Sequence, residues 1–176
     1  GRFLLLFSTF SAVAADDDRS YTIDHAFVDL TVENNGLLHV DERYDYSFKG
    51  QFNGVYRDIP LKARESVENI NISVDGAYAS HTVSDEDGKK HLKIYLYSDE
   101  GHTKGVKDCD VSVHISYDMK NVVTLFKDVG GLQYKLWGDE WDVGVGTVNV
   151  KVHLPGDKGN EYFLNPQEFN VSSELN

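Results

Sequence analysis

From Tyr21 onward, apolar and polar residues alternate with a period of two, not the 3.6 of a helix. Ala26, Val28, Leu30 and Val32 alternate with Phe27, Asp29, Thr31 and Glu33. That pattern predicts a strand with one buried face and one wet face. Asn34-Asn35-Gly36 follows and predicts a hairpin, because Asn and Gly tolerate positive φ. The return strand places Leu38, Val40, Tyr44, Tyr46 and Phe48 on one face and is broken by Lys49-Gly50-Gln51. A strand over 67–74 is expected to bury Ile70, Ile72 and Val74. Asp85-Glu86-Asp87-Gly88 predicts a second hairpin tip, leading into Leu92, Ile94 and Leu96. Val111, Val113, Ile115 and Tyr117 predict another strand. Val148, Val150, Val152 and Leu154 predict a late one, stopped by Pro155-Gly156. A last short strand between Phe163 and Val171 is interrupted by Pro166. Only Asn121 to Trp141 lacks alternation; it is expected to be a short helix or a long crossing loop, Gly130-Gly131 arguing against one long helix. Strands separated by turn signals predict an all-β chain: an antiparallel β-sandwich, immunoglobulin-like or Greek-key, with at most one short helix.

The first fifteen residues follow another pattern. Arg2 precedes the apolar run Phe3-Leu4-Leu5-Leu6-Phe7, then comes Ala12-Val13-Ala14-Ala15, then the acidic run Asp16-Asp17-Asp18. A basic residue, a short apolar stretch and a small-x-small site form the pattern of a secretory signal peptide. The apolar part is shorter than the roughly 20 residues that span a bilayer. The alternative is an N-terminal strand or buried helix. A leader that stays ordered needs something to hold it, either a neighbouring molecule or a groove of the domain itself. The expected organisation is a signal-peptide remnant over 1–15 and one extracytoplasmic domain over 16–176. Ser172 to Asn176 reads as the end that a break before a linker or membrane segment would leave.

Charge narrows the partners. The 176 residues carry 17 Lys+Arg against 29 Asp+Glu, a net charge of −12. Such a chain is repelled by phosphate backbones and by anionic head groups, so nucleic acid is excluded as a partner. Any membrane attachment must come from segments outside this sequence. The single Cys109, in Asp108-Cys109-Asp110, fits no disulfide or zinc pattern. Its carboxylate neighbours raise a thiol pKa, which marks an inert strand-edge residue. Asn71-Ile72-Ser73 and Asn170-Val171-Ser172 match the glycosylation sequon. The seven His stand in no metal-ligand spacing, and no nucleophile elbow, P-loop or dinucleotide fingerprint occurs. No catalytic residue, cofactor or metal ligand is assigned, and a non-enzymatic domain is expected.

Three stretches carry possible chemistry. Glu42 falls by alternation on the apolar face of its strand, where an unpaired carboxylate is costly. It needs a partner, and Arg57 in Val55-Tyr56-Arg57-Asp58-Ile59-Pro60 is the candidate, expected within salt-bridge reach. The favoured role is a pair pinning a loop to the sheet; the other is an acid or electrophile at a site. Trp137-Gly138-Asp139-Glu140-Trp141-Asp142 offers either two core-closing indoles or a sugar platform with a cation site. Asp85 to Gly88 resembles half a calcium loop, but Leu96 stands where the closing glutamate belongs, so a turn explains it better.

These stretches resemble the family catalogued as domain of unknown function 2207, the N-terminal part of predicted membrane proteins. The resemblance rests on Asn35 to Glu42, on Phe52-Asn53-Gly54-Val55-Tyr56-Arg57-Asp58-Ile59-Pro60, and on Trp137 to Trp141 with Val148 to Pro155. It covers residues 20–156, and the middle motif is its most distinctive part. It implies a signal peptide, an exported β-rich domain and later transmembrane helices, and it implies no reaction or cofactor. The motif positions it carries over are Glu42, Gly54, Arg57, Pro60, Trp137 and Trp141. The expected function is an extracytoplasmic interaction or sensor-like domain of a membrane-anchored protein, with an unknown envelope protein or glycan as partner. Edge-strand pairing is one mode, and the apolar leader could mimic such a peptide. The alternatives are a carbohydrate-binding or carbohydrate-active domain and a structural, adhesin-like surface component.

Overall fold

The computed structural model describes residues 3–5, 10–14, 19–125, 130–134, 145–153, 163–164 and 171–173. Fifteen strands lie among them: β1 (Phe3–Leu5), β2 (Phe10–Ala14), β3 (Ser20–Val32), β4 (Leu38–Lys49), β5 (Gln51–Pro60), β6 (Ser66–Asp75), β7 (Tyr78–Glu86), β8 (Lys89–Tyr97), β9 (Val106–Lys107), β10 (Asp110–Lys120), β11 (Val123–Leu125), β12 (Gly130–Tyr134), β13 (Val145–His153), β14 (Phe163–Leu164) and β15 (Val171–Ser173). No helix occurs among the described residues.

Two sheets form the sandwich. The larger runs β15-β13-β3-β4-β10-β6, the smaller β2-β5-β8-β7, with β9 pairing the start of β5. A further sheet, β11-β12-β1-β14, has β1 parallel to both neighbours. The ladders joining β3, β4, β10 and β6 are antiparallel, whereas β13 joins β3 in parallel and β15 joins β13 in parallel. The β6–β7 corner is only Gly76-Ala77, so those edge strands share one side of the sandwich. Contacts of Arg57 with Glu42 and Tyr117 set β5 over β4 and β10, and the short corner sets β7 beside β6.

The core lies where alternation placed it. Ala26, Val28, Leu30 and Val32 of β3 join Leu92, Ile94 and Leu96 of β8 and Val55 and Ile59 of β5 in one buried cluster. The Asn34 to Gly36 turn is closed by Gly36 N–H donating to Glu33 O at 2.9 Å, with Gly36 at φ +85°. The Asp87-Gly88 turn joins β7 to β8 as expected.

Three bulges shift the period and account for most departures. Asp24 is the extra residue where β3 meets β4, and it turns Ile23 inward to full burial. On β6 the register shifts opposite Ser116 and Asp118, with Asn69 at φ +55°. Val67 is consequently the fully buried residue of that strand, and Ile70, Ile72 and Val74 are only half-buried at the edge. On β5 Asn53 is extra, so Phe52 faces inward together with Val55, Arg57 and Ile59.

Three expectations are corrected. Residues 55–60 are the second half of strand β5, not a loop. Of the segment expected as a short helix or crossing loop, the described residues form the antiparallel pair β11–β12, and the rest lies outside the described residues. β7 was not foreseen, because its outward-facing, polar sequence carries no apolar alternation. The leader contributes β1 and β2, and β2 is held by the domain's own β5, with Phe10 opposite Arg57 and Ala12 opposite Val55.

Gly54 lies at the β5 bulge, where β5 and β8 approach closely. A Cβ there would stand 2.3 Å from the Ile94 carbonyl oxygen, a backbone atom that cannot swing aside. Gly54→Ala is therefore expected to lower stability by about 1–3 kcal/mol through overpacking. A urea melt with an unchanged m-value checks this, and a variant as stable as the parent would contradict the close approach.

Candidate functional site

Glu42 on β4 and Arg57 on β5 meet between the layers. Arg57 Nη2 lies 2.7 Å from Glu42 Oε1 and Nε lies 3.0 Å from Oε2, a fork-to-fork pair. Both side chains are at most 1% exposed. Tyr117 of β10 donates its hydroxyl to Glu42, and Arg57 Nη1 donates to the Asp58 carbonyl oxygen. The expected reach between Glu42 and Arg57 is thus observed, but the pair ties strand to strand across the sandwich. With the carboxylate shared between a guanidinium and a phenol, the cluster ties β4, β5 and β10 together.

The other motif residues divide. Gly54 permits the close approach just described. Pro60 is the exposed last residue of β5, opposite Lys89, where its missing N–H costs no interior ladder bond. Trp137 and Trp141 lie outside the described residues, as does the sugar-platform reading built on them. Burial first, then the charge of Asp110, raises the Cys109 thiol, so burial outweighs the carboxylates invoked from the sequence.

The polar face of the six-stranded sheet forms an open groove of about 650 Å³. Strict alternation builds it: every residue between two core positions points out. The ladders align these residues in rows across five strands. One row runs Lys151, Asp29, Asp41, Ser116, Asn71. The next runs Asn149, Phe27, Arg43, His114, Ser73. Cations and carboxylates are mixed on this face: Lys151 stands opposite Asp29, Asp29 opposite Asp41, and Arg43 opposite His114. The Arg43 guanidinium lies 3.9 Å from the Phe27 ring centroid, and its Nε is 3.3 Å from Asp45 Oδ1. His153 Nε2 is 3.0 Å from Asp29, and His114 Nε2 is 3.2 Å from Asp75.

At one end His39 is 2.6 Å from Asp118 and 3.3 Å from Asp41, while Asn69 Nδ2 donates to Asp118 at 2.9 Å. The hydrogen bond with Asp118 raises the His39 pKa above its ordinary value. Asn69 first, and His39 second, lower that of Asp118. The sequence analysis did not find this cluster, because Asp118 is 79 residues from His39. Among the described residues no three His, Cys, Asp or Glu side chains converge as metal ligands.

A family model described as "Predicted membrane protein (DUF2207) N-terminal domain" matches residues 22–175. No curated protein matches the sequence. Among solved structures, an M1 zinc metallopeptidase from Deinococcus radiodurans bound to a Tyr-Ser-Ala substrate aligns at 12% identity and TM-score 0.36, over 60% of this chain and 22% of that one. A two-domain M1 zinc metallopeptidase bound to L-tryptophan aligns at 11% identity and TM-score 0.38, over 66% and 23%. The chain thus spans about a fifth of the length of those enzymes.

Removing one member of a buried pair leaves the other uncompensated. Arg57→Leu is expected to cost about 3–5 kcal/mol, and Glu42→Leu with Arg57→Leu to cost less than that single change. Chemical denaturation of the parent, both single variants and the double variant measures the coupling. The His39–Asp118 contact adds a smaller, pH-dependent contribution. The raised His39 stabilises below its ordinary 6.5 and loses this as pH rises through its folded value; the lowered Asp118 stabilises above its ordinary 3.8 and loses this as pH falls through its folded value. Both contributions coexist between those values. For so exposed a pair the amount is under about 1 kcal/mol, and His39→Gln should flatten the stability profile over that range.

Proposed function

The chain belongs to the DUF2207 family of predicted membrane proteins, and from that premise we propose an extracytoplasmic interaction or sensor-like domain of a membrane-anchored protein. It touches an envelope partner through the outer face of the six-stranded sheet. The observation that carries this reading is the groove itself. Five strands contribute polar rows to one open concavity, whereas the buried polar cluster is consumed by fold architecture. Arg43 and Lys151 share that face with Asp29 and Asp41, which suits a partner carrying both charges better than a polyanion. The overall acidity of the chain points the same way.

The location is supported by the leader pattern of residues 1–15. Among the described residues no helix is long and apolar enough to cross a membrane. The reading assigns the domain no reaction and no cofactor.

Two measurements test it. An alkaline phosphatase fused after Asn176 should be active in cells; an inactive phosphatase beside an active β-galactosidase fusion would place the domain in the cytoplasm and end the reading. A photo-crosslinking residue at Asn71, in the groove, should capture a discrete envelope component in intact cells, while one at Ser84 on β7 should not. Equal capture from both positions, or from neither, argues against the groove.

A further inference from the structure

The groove holds two electrostatic demands that the chain does not meet by itself. The first is Arg43. Its guanidinium lies over the Phe27 ring, 3.9 Å from the centroid, which fixes its position. Among the described residues it makes one hydrogen bond, from Nη2 to Asp45 Oδ2 at 3.4 Å. Its Nε is 3.3 Å from Asp45 Oδ1 but misaligned, a buried donor without a hydrogen-bond partner. Asp45 is itself shared, accepting from Ser112 Oγ at 2.7 Å. A guanidinium carries five N–H donors, so most of this one's capacity is unspent. The register neighbours of Arg43 are Phe27 and His114, and neither is a carboxylate. The second demand is the pair Asp29 and Asp41, directly opposite each other on β3 and β4. Like charges so placed cost stability. His153 at 3.0 Å from Asp29 and His39 at 3.3 Å from Asp41 offset this only while protonated. Lys151 stands opposite Asp29 on β13, whereas Asp41 has Ser116 on its other side and is 56% exposed. Asp41 and Arg43 are two residues apart on one strand and line the same groove, so the two demands lie about 7 Å apart.

The geometry points to a free α-amino acid as a ligand of this groove, its carboxylate on Arg43 and its ammonium on Asp41 beside Asp29. Two charge-assisted hydrogen bonds of about 2.8 Å, one at each end, and the single carbon between the ligand's charged groups cover the span between the rows. A zwitterion is neutral overall, so the net charge of −12 does not repel it as it repels a polyanion. The groove volume of about 650 Å³ lies in the range of small-molecule sites. Arg43 is already held by Phe27 and Asp45, so little ordering remains to be done on binding. This inference rests on the groove reading above and names the small ligand that a sensor-like face would take.

The test titrates the full chain with each of the common protein amino acids in a calorimeter. At least one should bind with a Kd below about 1 mM. For that amino acid, the amide keeps only the ammonium and the N-acetyl derivative keeps only the carboxylate. Each derivative should bind at least ~10-fold more weakly than the parent amino acid. Arg43→Gln should bind the amino acid and its amide alike, and Asp41→Asn should bind the amino acid and its N-acetyl derivative alike. No binding by any amino acid at about 10 mM, or derivatives that bind as well as the amino acid, overturns the inference. Binding that both variants leave unchanged places the ligand elsewhere and overturns it too. The derivative series needs no variant, so it decides the matter even if a variant does not fold. Capture from Asn71 in cells without amino-acid binding ends this inference and leaves the groove reading standing. Amino-acid binding without capture keeps the groove as a ligand site and removes the envelope contact.

Discussion

The sandwich depends on one constraint: a carboxylate and a guanidinium removed from water must satisfy each other completely. Glu42 and Arg57 do so with two parallel contacts, and Tyr117 and the Asp58 carbonyl take up further hydrogen-bonding capacity. Apolar side chains tolerate repacking between the layers as long as total volume and pattern are kept. The ion pair does not. A shift of one residue on β5 turns Arg57 out and leaves Glu42 buried alone, a penalty of several kcal/mol. The pair therefore sets how β5 sits over β4 and β10, and through them the register of the whole stack. The β5 bulge serves the same end, turning Arg57 onto the inner face beside Phe52 and Val55.

Much of this could be read from the residues before any coordinates. Period-two alternation gave β3, β4, β8 and β10 with their inward residues, because those strands are central and half-buried. Glu42 identified itself by breaking the apolar face, and Arg57, in a distinctive motif, was the candidate partner. What escaped has physical reasons. β5 hides behind a bulge, a charged inward residue and a terminal proline, each of which weakens a strand signature. β7 is an edge strand, so most of its positions are exposed and no period survives. The bulges at Asp24 and at Asn69 reverse parity inside strands, and a parity reversal is invisible until the partner's register is known. The His39–Asp118–Asn69 cluster joins three strands, so no local spacing could reveal it. Trp137 and Trp141 keep only their sequence reading.

The outer face follows from the inner one. Because the core demands an apolar residue at every second position, the intervening positions are free to carry chemistry. In the six-stranded sheet they carry charges of both signs rather than a single-sign field. The ion pairs among them are weak contacts, each screened by water and salt. A net charge of −12 adds general repulsion between copies. The face is thus built to stay soluble while presenting a fixed pattern of donors and acceptors.

β5 joins the two themes. Its inner face supplies Arg57 to the buried pair, and one of its edges is covered by the leader strand. The residue opposite Phe10 is Arg57 itself, so the strand that pins the layers is the same strand that β2 covers. An edge strand on its own frays and slips register easily, because half of its backbone bonds are made to water. Here slippage is opposed from within: moving β5 along β8 would pull Arg57 off Glu42. The interlayer pair therefore holds β5 in register against both its neighbours, β2 and β8. The buried charges and the smaller sheet thus belong to one mechanical unit: the first fixes the register of the second.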